Sequence, residues 1–330
     1  MKTGIWKVIP GLGLLAVVAA AARLLGSAIP FLTPLILAVA LGAVIANVAG
    51  LPNWAKPGIE KHSLFLETAI VLLGASLSLD SIVAAGPVVV ALVLFVVVFG
   101  VVLVIVISRL VNLDERTGSL LAAGSSICGI SAVAAVAPVC EAREHQIAHA
   151  AATILLFDAV TLVAFPIVGG SLDLGARFYG IWIGLSMFST GPVAAAGFAH
   201  SAAAGEWATM TKLARNALIG VVVLGFSVWY TNQDDTESSH SMKRLWTDFP
   251  KFLVGFIALA AVANTGVLSA TVLDSIGVAS NVLFLVAFAG LGFEIRLGEM
   301  REAGLLPIGV VGVYLLIISG ITYLLVTFMF

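Results

Sequence analysis

The sequence predicts an all-α polytopic membrane protein of about eleven transmembrane elements, with inverted repeats and two broken or re-entrant helices. Three observations predict it. Of 330 residues, 61% are hydrophobic and only 10% are charged, against about 25% charged in a soluble domain. Apolar runs near bilayer length recur along the whole chain. Two distant segments match one another, and two stretches rich in glycine and serine interrupt the apolar pattern. The net charge of −2 argues against a nucleic-acid partner, which needs a basic surface; the lipid bilayer is the partner the composition asks for.

The runs fall at 8–25, 31–49, 64–79, 87–108, 118–140, 147–169, 178–199, 213–230, 250–266, 280–293 and 304–328. The first follows a basic start, as a signal peptide would, but "AARLLGSAIPFL" leads directly into the second span, so it reads as a transmembrane helix. The third and tenth are short, and each carries an internal glycine, Gly74 and Gly292. The fifth contains "GSSICGISAVAAVAP" and both cysteines. Cys128 and Cys140 would lie roughly 18 Å apart on a continuous helix, too far for a disulfide. They form no metal-ligand pattern and read as small buried apolar residues. The sixth carries Asp158 within "TILLFDAVTLVAF", and the seventh contains "GLSMFSTGPVAAA". After the eighth comes the one long hydrophilic segment, "TNQDDTESSHSMKRLWTDFPK", a surface linker between two halves. The domain reading is one transporter domain with halves near 8–140 and 178–330, joined by the span at 147–169.

Basic residues set the orientation. With the N-terminus on side one, that side receives Lys2, Lys7, Lys56, Lys61, Arg109, Arg116, Arg177, Lys243, Arg244, Lys251, Arg296 and Arg301. Side two receives Arg23, Arg143, Lys212 and Arg215. Twelve against four places the N-terminus in the cytoplasm and the C-terminus outside, in the cytoplasmic (inner) membrane. If both broken elements turned back, Arg143 and Arg177 would exchange sides and the tally would stand. If only one did, everything downstream would flip. Both cross, or neither does.

"LLGASLSLDSIVAAG" (72–86) aligns without gaps on "GLGFEIRLGEMREAG" (290–304), pairing Leu73 with Leu291, Gly74 with Gly292 and Leu77 with Ile295. Upstream, "GAVIANVAGL" resembles "AAVANTGVL" with one gap, pairing Asn47 with Asn264. The copies are seven elements apart, an odd number, so they run in opposite directions. Inverted repeats are the signature of alternating-access transporters.

A second echo lies within the middle of the chain. "GSSICGISAVAAV" and "GLSMFSTGPVAAA" match at Gly124/Gly184, Ser126/Ser186, Val133/Val193, Ala134/Ala194 and Ala135/Ala195. Gly191 and Pro192 suit a break, with proline in the first turn of a new half-helix. A break at mid-membrane exposes free N–H groups and the positive end of the half-helix that follows. Such an end binds an anion. Candidate substrate-binding residues are therefore Ser125, Ser126, Cys128, Gly129, Ser131, Ser186, Ser189, Thr190 and Gly191, with Asn47 and Asn264 from the repeats. The competing structural reading is that small residues allow close helix packing, while Ser and Thr satisfy their own helices.

Through "AAGSSICGISAVAAVAPV", "FYGIWIGLSMFSTGPVAAAGF", "ATMTKLARNAL", "LVGFIALAAVANTGVL" and "FAGLGFEIRLGEMREAG" the chain resembles the YeiH family, whose members are named for sulfate export. The resemblance implies an inner-membrane protein of ten or eleven spans, grouped with secondary carriers such as bile-acid and arsenite transporters. Gly124, Ser126, Cys128, Gly129 and Ser131 stand at the family's CG-x-SA element, and Lys212, Arg215 and Asn216 at its basic K-L-x-R stretch. Where many members read "SIHDTAQVVAAG", this chain has Phe188 and Ser189 for the histidine and acid, and Pro192 for the glutamine. Thr190 remains, but no role of that His–Asp pair carries over.

Asp158, Lys212 and Arg215 are the candidate coupling or gating residues, with H+ or Na+ as the coupling ion. A charged aspartate at mid-membrane costs about 2.5–3.5 kcal/mol and is by default functional. His149 could relay protons, but its place at a helix start suits a solvated role. The favoured function is a secondary transporter of a small anion, sulfate or a related sulfur oxyanion or sulfonate. A cation–proton antiporter using Asp158 is the alternative. An intramembrane serine hydrolase built on Ser131 lacks a base within reach, and a channel would not require an inverted repeat. No nucleotide loop or metal motif is present, so no cofactor is expected. A homo-oligomer is compatible with the sequence.

Overall fold

The computed structural model describes residues 7–28, 33–76, 79–231, 251–296, 298 and 304–330. The long hydrophilic segment lies almost wholly outside them, as do much of 297–303 and residues 77 and 78 of the repeat. The elements are α1 (Ile9–Ala28), α2 (Pro34–Val48), α3 (Lys56–Ile59), α4 (His62–Leu73) with a 3-10 turn at Gly74–Ser76, and α5 (Leu79–Leu110). Next come α6 (Glu115–Ser126), α7 (Ile130–Val136), α8 (Glu144–Ser171), α9 (Ala176–Ser186), α10 (Thr190–His200), α11 (Ala202–Asn216) and α12 (Ile219–Thr231). Then α13 (Phe252–Asn264), α14 (Ala270–Glu294) and α15 (Leu305–Met329) complete the described chain. Six helices or helix pairs among the described residues are long and apolar enough to cross a membrane.

Two predicted spans change. The tenth, expected short at 280–293, is the 25-residue α14 starting at Ala270. Ser269 caps it through Val272 N–H, and the Ser275 hydroxyl returns to the Thr271 carbonyl, so its polar first turns are helical although they dilute the hydropathy. The eighth begins not at 213 but at Ala202, because α11 is amphipathic and carries Glu206, Lys212 and Arg215.

Two compact units result: Met1–Gly86 with Lys251–Leu297, and Pro87–Pro250 with Gly298–Phe330. Each is built from two separate stretches of the chain, so this division differs from the halves at 8–140 and 178–330.

In the first unit, α14 packs on α2 and α4, and α13 packs on α4 and its 3-10 turn. These contacts follow the sequence repeat. A Cβ on Gly292 would strike the Val39 carbonyl and lie 2.9 Å from Ala43 N; one on Gly74 would strike the Phe256 carbonyl and lie 3.4 Å from Ala260 N. With Gly74 paired to Gly292 and Asn47 to Asn264, Val39 and Ala43 correspond to Phe256 and Ala260. Asn47 and Asn264 each donate to the carbonyl four residues earlier, Ala43 and Ala260, at 2.8 Å. Each copy's glycine thus receives the other copy's helix.

In the second unit, α8 is the central post. It carries α6, α7 and α10, while α11 packs on α9 and α10. Both interrupted pairs fold back on themselves. In the first, Arg116 at the start of α6 donates to the Glu141 carbonyl beyond α7 at 2.6 Å, and Gly124 faces the Val133 side chain. In the second, the Tyr179 ring of α9 stacks on His200 at the end of α10, with centroids 4.4 Å apart. The two hairpins start at opposite ends of α8. Gln146 in its first turn donates to Asp114, the N-cap of α6, at 2.7 Å. Gly169 near its other end lies against the Tyr179 ring. Those ends are about 35 Å apart along the helix, close to the thickness of a bilayer's core.

Candidate functional site

The hairpin tips meet around α11. α6 ends at Ser126 and α9 at Ser186, and each leaves its last carbonyls without helical partners. Lys212 and Arg215, both fully buried, supply them. Lys212 Nζ donates to the Ile127 carbonyl at 2.6 Å and the Met187 carbonyl at 3.1 Å, one from each tip. The Arg215 guanidinium reaches Ser125 and Ser126 of the first hairpin at 3.1 and 3.3 Å, and Gly184, Leu185 and Met187 of the second at 3.0, 2.7 and 2.9 Å. Carbonyls 125 and 127 correspond to 185 and 187 in the sequence echo, so both cations grip equivalent atoms of both copies. A cation is favourable at a helix C-terminus and costly in hydrocarbon, and here each condition answers the other. Tyr314 of α15 adds a hydroxyl donated to the Ser125 carbonyl at 3.3 Å.

The N-terminal ends differ. α10 starts beside Asp158, midway along α8, whose Oδ1 accepts Ser189 N–H at 3.0 Å. Asp158 is only 4% exposed. It therefore compensates the positive end of α10. α7 instead follows Gly129, which has φ +71° and donates its N–H to the Gly124 carbonyl at 2.9 Å. A Cβ there would also collide with Ser189 Oγ. The tips touch at this point.

The candidate residues from sequence now separate. Ser125 and Ser186 are fully buried and return their hydroxyls to their own helices, at Leu121 and Trp182. Ser186 also pairs with Thr322 at 2.8 Å. Ser126 is fully buried, beside Gly100 and close to the Tyr314 hydroxyl. Cys128, Ser189 and Thr190 are half-buried at the tips, Ser131 is exposed and Gly191 is buried in the first turn of α10. Asn47 and Asn264 belong to the other unit, where Asn47 also donates to the Ile295 carbonyl at 2.6 Å. His149 is exposed at the start of α8. Sequence reasoning passed over Tyr314, which carries no local motif.

Fold and site together define a multi-pass membrane protein whose two helical hairpins meet on buried basic residues. Residues 10–311 match the family model described as Conserved hypothetical protein 698. The chain belongs to this family, the YeiH family that its motifs resemble. A UPF0324 membrane protein of Nitratidesulfovibrio vulgaris is 32% identical over 277 residues, covering 82% of this chain and 76% of the relative. Another, from Bradyrhizobium diazoefficiens, is 30% identical over 325 residues, covering 96% and 92%. Among solved structures, a sodium proton antiporter from Methanocaldococcus jannaschii aligns with TM-score 0.30 and 13% identity, over 96% of this chain and 99% of that one.

Proposed function

We propose that this protein is a secondary active transporter of a small anion, working by alternating access and binding the anion where the hairpin tips meet. The observation that carries the reading is the convergence of two oppositely entering hairpins on Lys212 and Arg215. Two fully buried basic residues stand there against one buried carboxylate, Asp158, so basic groups outnumber acidic ones where the tips meet. The accessible hydroxyls of Ser131, Ser189 and Thr190 and the first N–H groups of α10 are the donors. Sulfate, or another sulfur oxyanion or sulfonate, is the substrate class that the family resemblance suggests.

With Lys212 and Arg215 buried inside the unit and not in a loop, hairpins that turn back within the membrane leave the basic-residue count of the loops at twelve to two. The proposed orientation is N-terminus cytoplasmic and C-terminus outside. Asp158 supports the second reading, a cation–proton antiporter, because a buried carboxylate on a spanning helix can carry a proton or bind sodium. Its contact with the end of α10 favours a positioning role instead.

The test is uptake of labelled sulfate into proteoliposomes, with sulfite and taurine as competitors, with and without pH and sodium gradients. Saturable uptake weakened in a Ser131→Ala, Thr190→Val double variant supports the anion site. Gradient-driven proton or sodium exchange with no anion movement, abolished by Asp158→Asn, would replace it with the antiporter.

A further inference from the structure

Several serine and threonine hydroxyls on the helices of the second unit return their protons to carbonyls four residues back. Ser125, Thr153, Thr161, Ser186 and Thr322 all do so, at 2.6–2.7 Å. Thr190 does not. It is the first residue of α10, so the position four residues back is Ser186, which ends another helix. Its oxygen instead accepts a hydrogen bond from Asn216 Nδ2 at 3.0 Å. Because that lone pair is taken by a donor, the threonine proton stays available at the half-exposed end of α10.

Asn216 is 4% exposed, and its Oδ1 has no hydrogen-bond partner among the described residues. Nδ2 is the atom that meets the Thr190 hydroxyl, so the amide donates and the hydroxyl accepts.

We infer that Asn216 is a positioning residue that fixes Thr190 as a hydrogen-bond donor to the transported anion. This rests on the anion reading above. Asn216 does not touch the anion; it acts through the threonine hydroxyl. Asn216→Asp makes a sharp test, because an ionised carboxylate only accepts. It would take the Thr190 proton and turn the hydroxyl into an acceptor facing the anion. Once protonated, the same side chain donates again and restores the native direction.

The charged and titratable groups around this point are Lys212 and Arg215 on α11, Asp158 on α8, Cys128 at the first tip and Tyr314 on α15. They are common to both proteins, so the informative quantity is the variant-to-wild-type ratio of KM at each pH. With labelled sulfate as the probe, the Asn216→Asp ratio is expected to be about tenfold or more at alkaline pH and to fall as the pH is lowered, with maximal velocity changing less. A ratio that does not move with pH overturns the inference.

Asn216→Ala and Thr190→Val cover the case in which the aspartate variant does not fold. Each should raise KM about tenfold, and the double variant should be no worse than Thr190→Val alone. Full additivity would show that Asn216 works elsewhere. Wild-type proteoliposomes that move no sulfate, sulfite or taurine would instead remove the anion reading, and this inference with it.

Discussion

The two hairpins of the second unit are related in sequence and alike at one end of their breaks, but unlike at the other. Both present their last carbonyls to Lys212 and Arg215. Beyond that, the first turns through Gly129 at φ +71° into a seven-residue helix. The second runs extended through Met187 and Ser189 into an eleven-residue helix whose start is met by Asp158. The shared ends hold the tips together. The unlike ends place the helix-end donors on the second hairpin. Equivalent sequence therefore supplies a common clamp, and the differences supply the proposed site.

The clamp should give the largest effect. Arg215→Met removes a guanidinium that serves carbonyls of both hairpins and leaves them buried without donors. A loss of about 3–5 kcal/mol in stability is expected, enough to unfold the unit or lower its melting temperature sharply. Thermal unfolding of the detergent-purified variant measures this. Arg215→Lys should recover little, since the three protons of an ammonium cannot serve the five carbonyls that the guanidinium reaches. A near-native melting temperature for Arg215→Met would mean that the hairpins hold without the clamp.

Gly129→Ala ranks next and strikes only the first hairpin. The backbone there has ψ −134°, a region that side chains avoid at a cost on the order of 1–3 kcal/mol, and the new methyl meets Ser189 Oγ. Transport should fall at least about tenfold. Ser189→Gly in the same chain should recover part of the melting temperature that Gly129→Ala loses, by removing the collision but not the strain; because Ser189 is itself a proposed anion donor, thermal unfolding and not transport is the readout. No recovery would show that the contact between the tips is immaterial and that the strain alone matters.

The sequence carried the long apolar helices and the position of both breaks, because glycine, proline and clustered hydroxyls mark where an apolar helix is weak. It left open whether the broken elements cross or turn back. Moving Arg143 and Arg177 together changes no charge total, whereas the fold-back of each pair rests on packing such as that of Tyr179 on His200. The partners of Lys212 and Arg215 were equally out of reach. They are backbone carbonyls 25 to 90 residues away, and a carbonyl has no residue type to recognise. The start of α11 was lost for a related reason: its polar face lowers hydropathy although that face is buried.

Asp158 tests which end of α10 matters and why. As a helix-end partner, its essential feature is an oxygen that accepts Ser189 N–H, and charge adds up to about 2 kcal/mol. Asp158→Asn keeps the oxygen, so uptake should persist at a reduced rate with its gradient dependence intact. Asp158→Leu should lose most of it. Abolition of gradient dependence alone in Asp158→Asn would make the carboxylate a coupling group.

The smallest effects belong to the hydroxyls directed into their own helices. Ser125→Ala and Ser186→Ala each remove a bond to a carbonyl that already serves the helix ladder, a change of about 0.5–1.5 kcal/mol in stability. Neither should alter KM for the anion by more than about twofold. Ser131→Ala, at an exposed position beyond Gly129, should raise KM while leaving the melting temperature unchanged. The contrast between buried and exposed serines is what separates packing from binding in this unit. If Ser186→Ala raised KM as much as Ser131→Ala with no loss of stability, the bond from Ser186 to Thr322 would have to open in transport, and the site would extend from the tips into the body of the second hairpin.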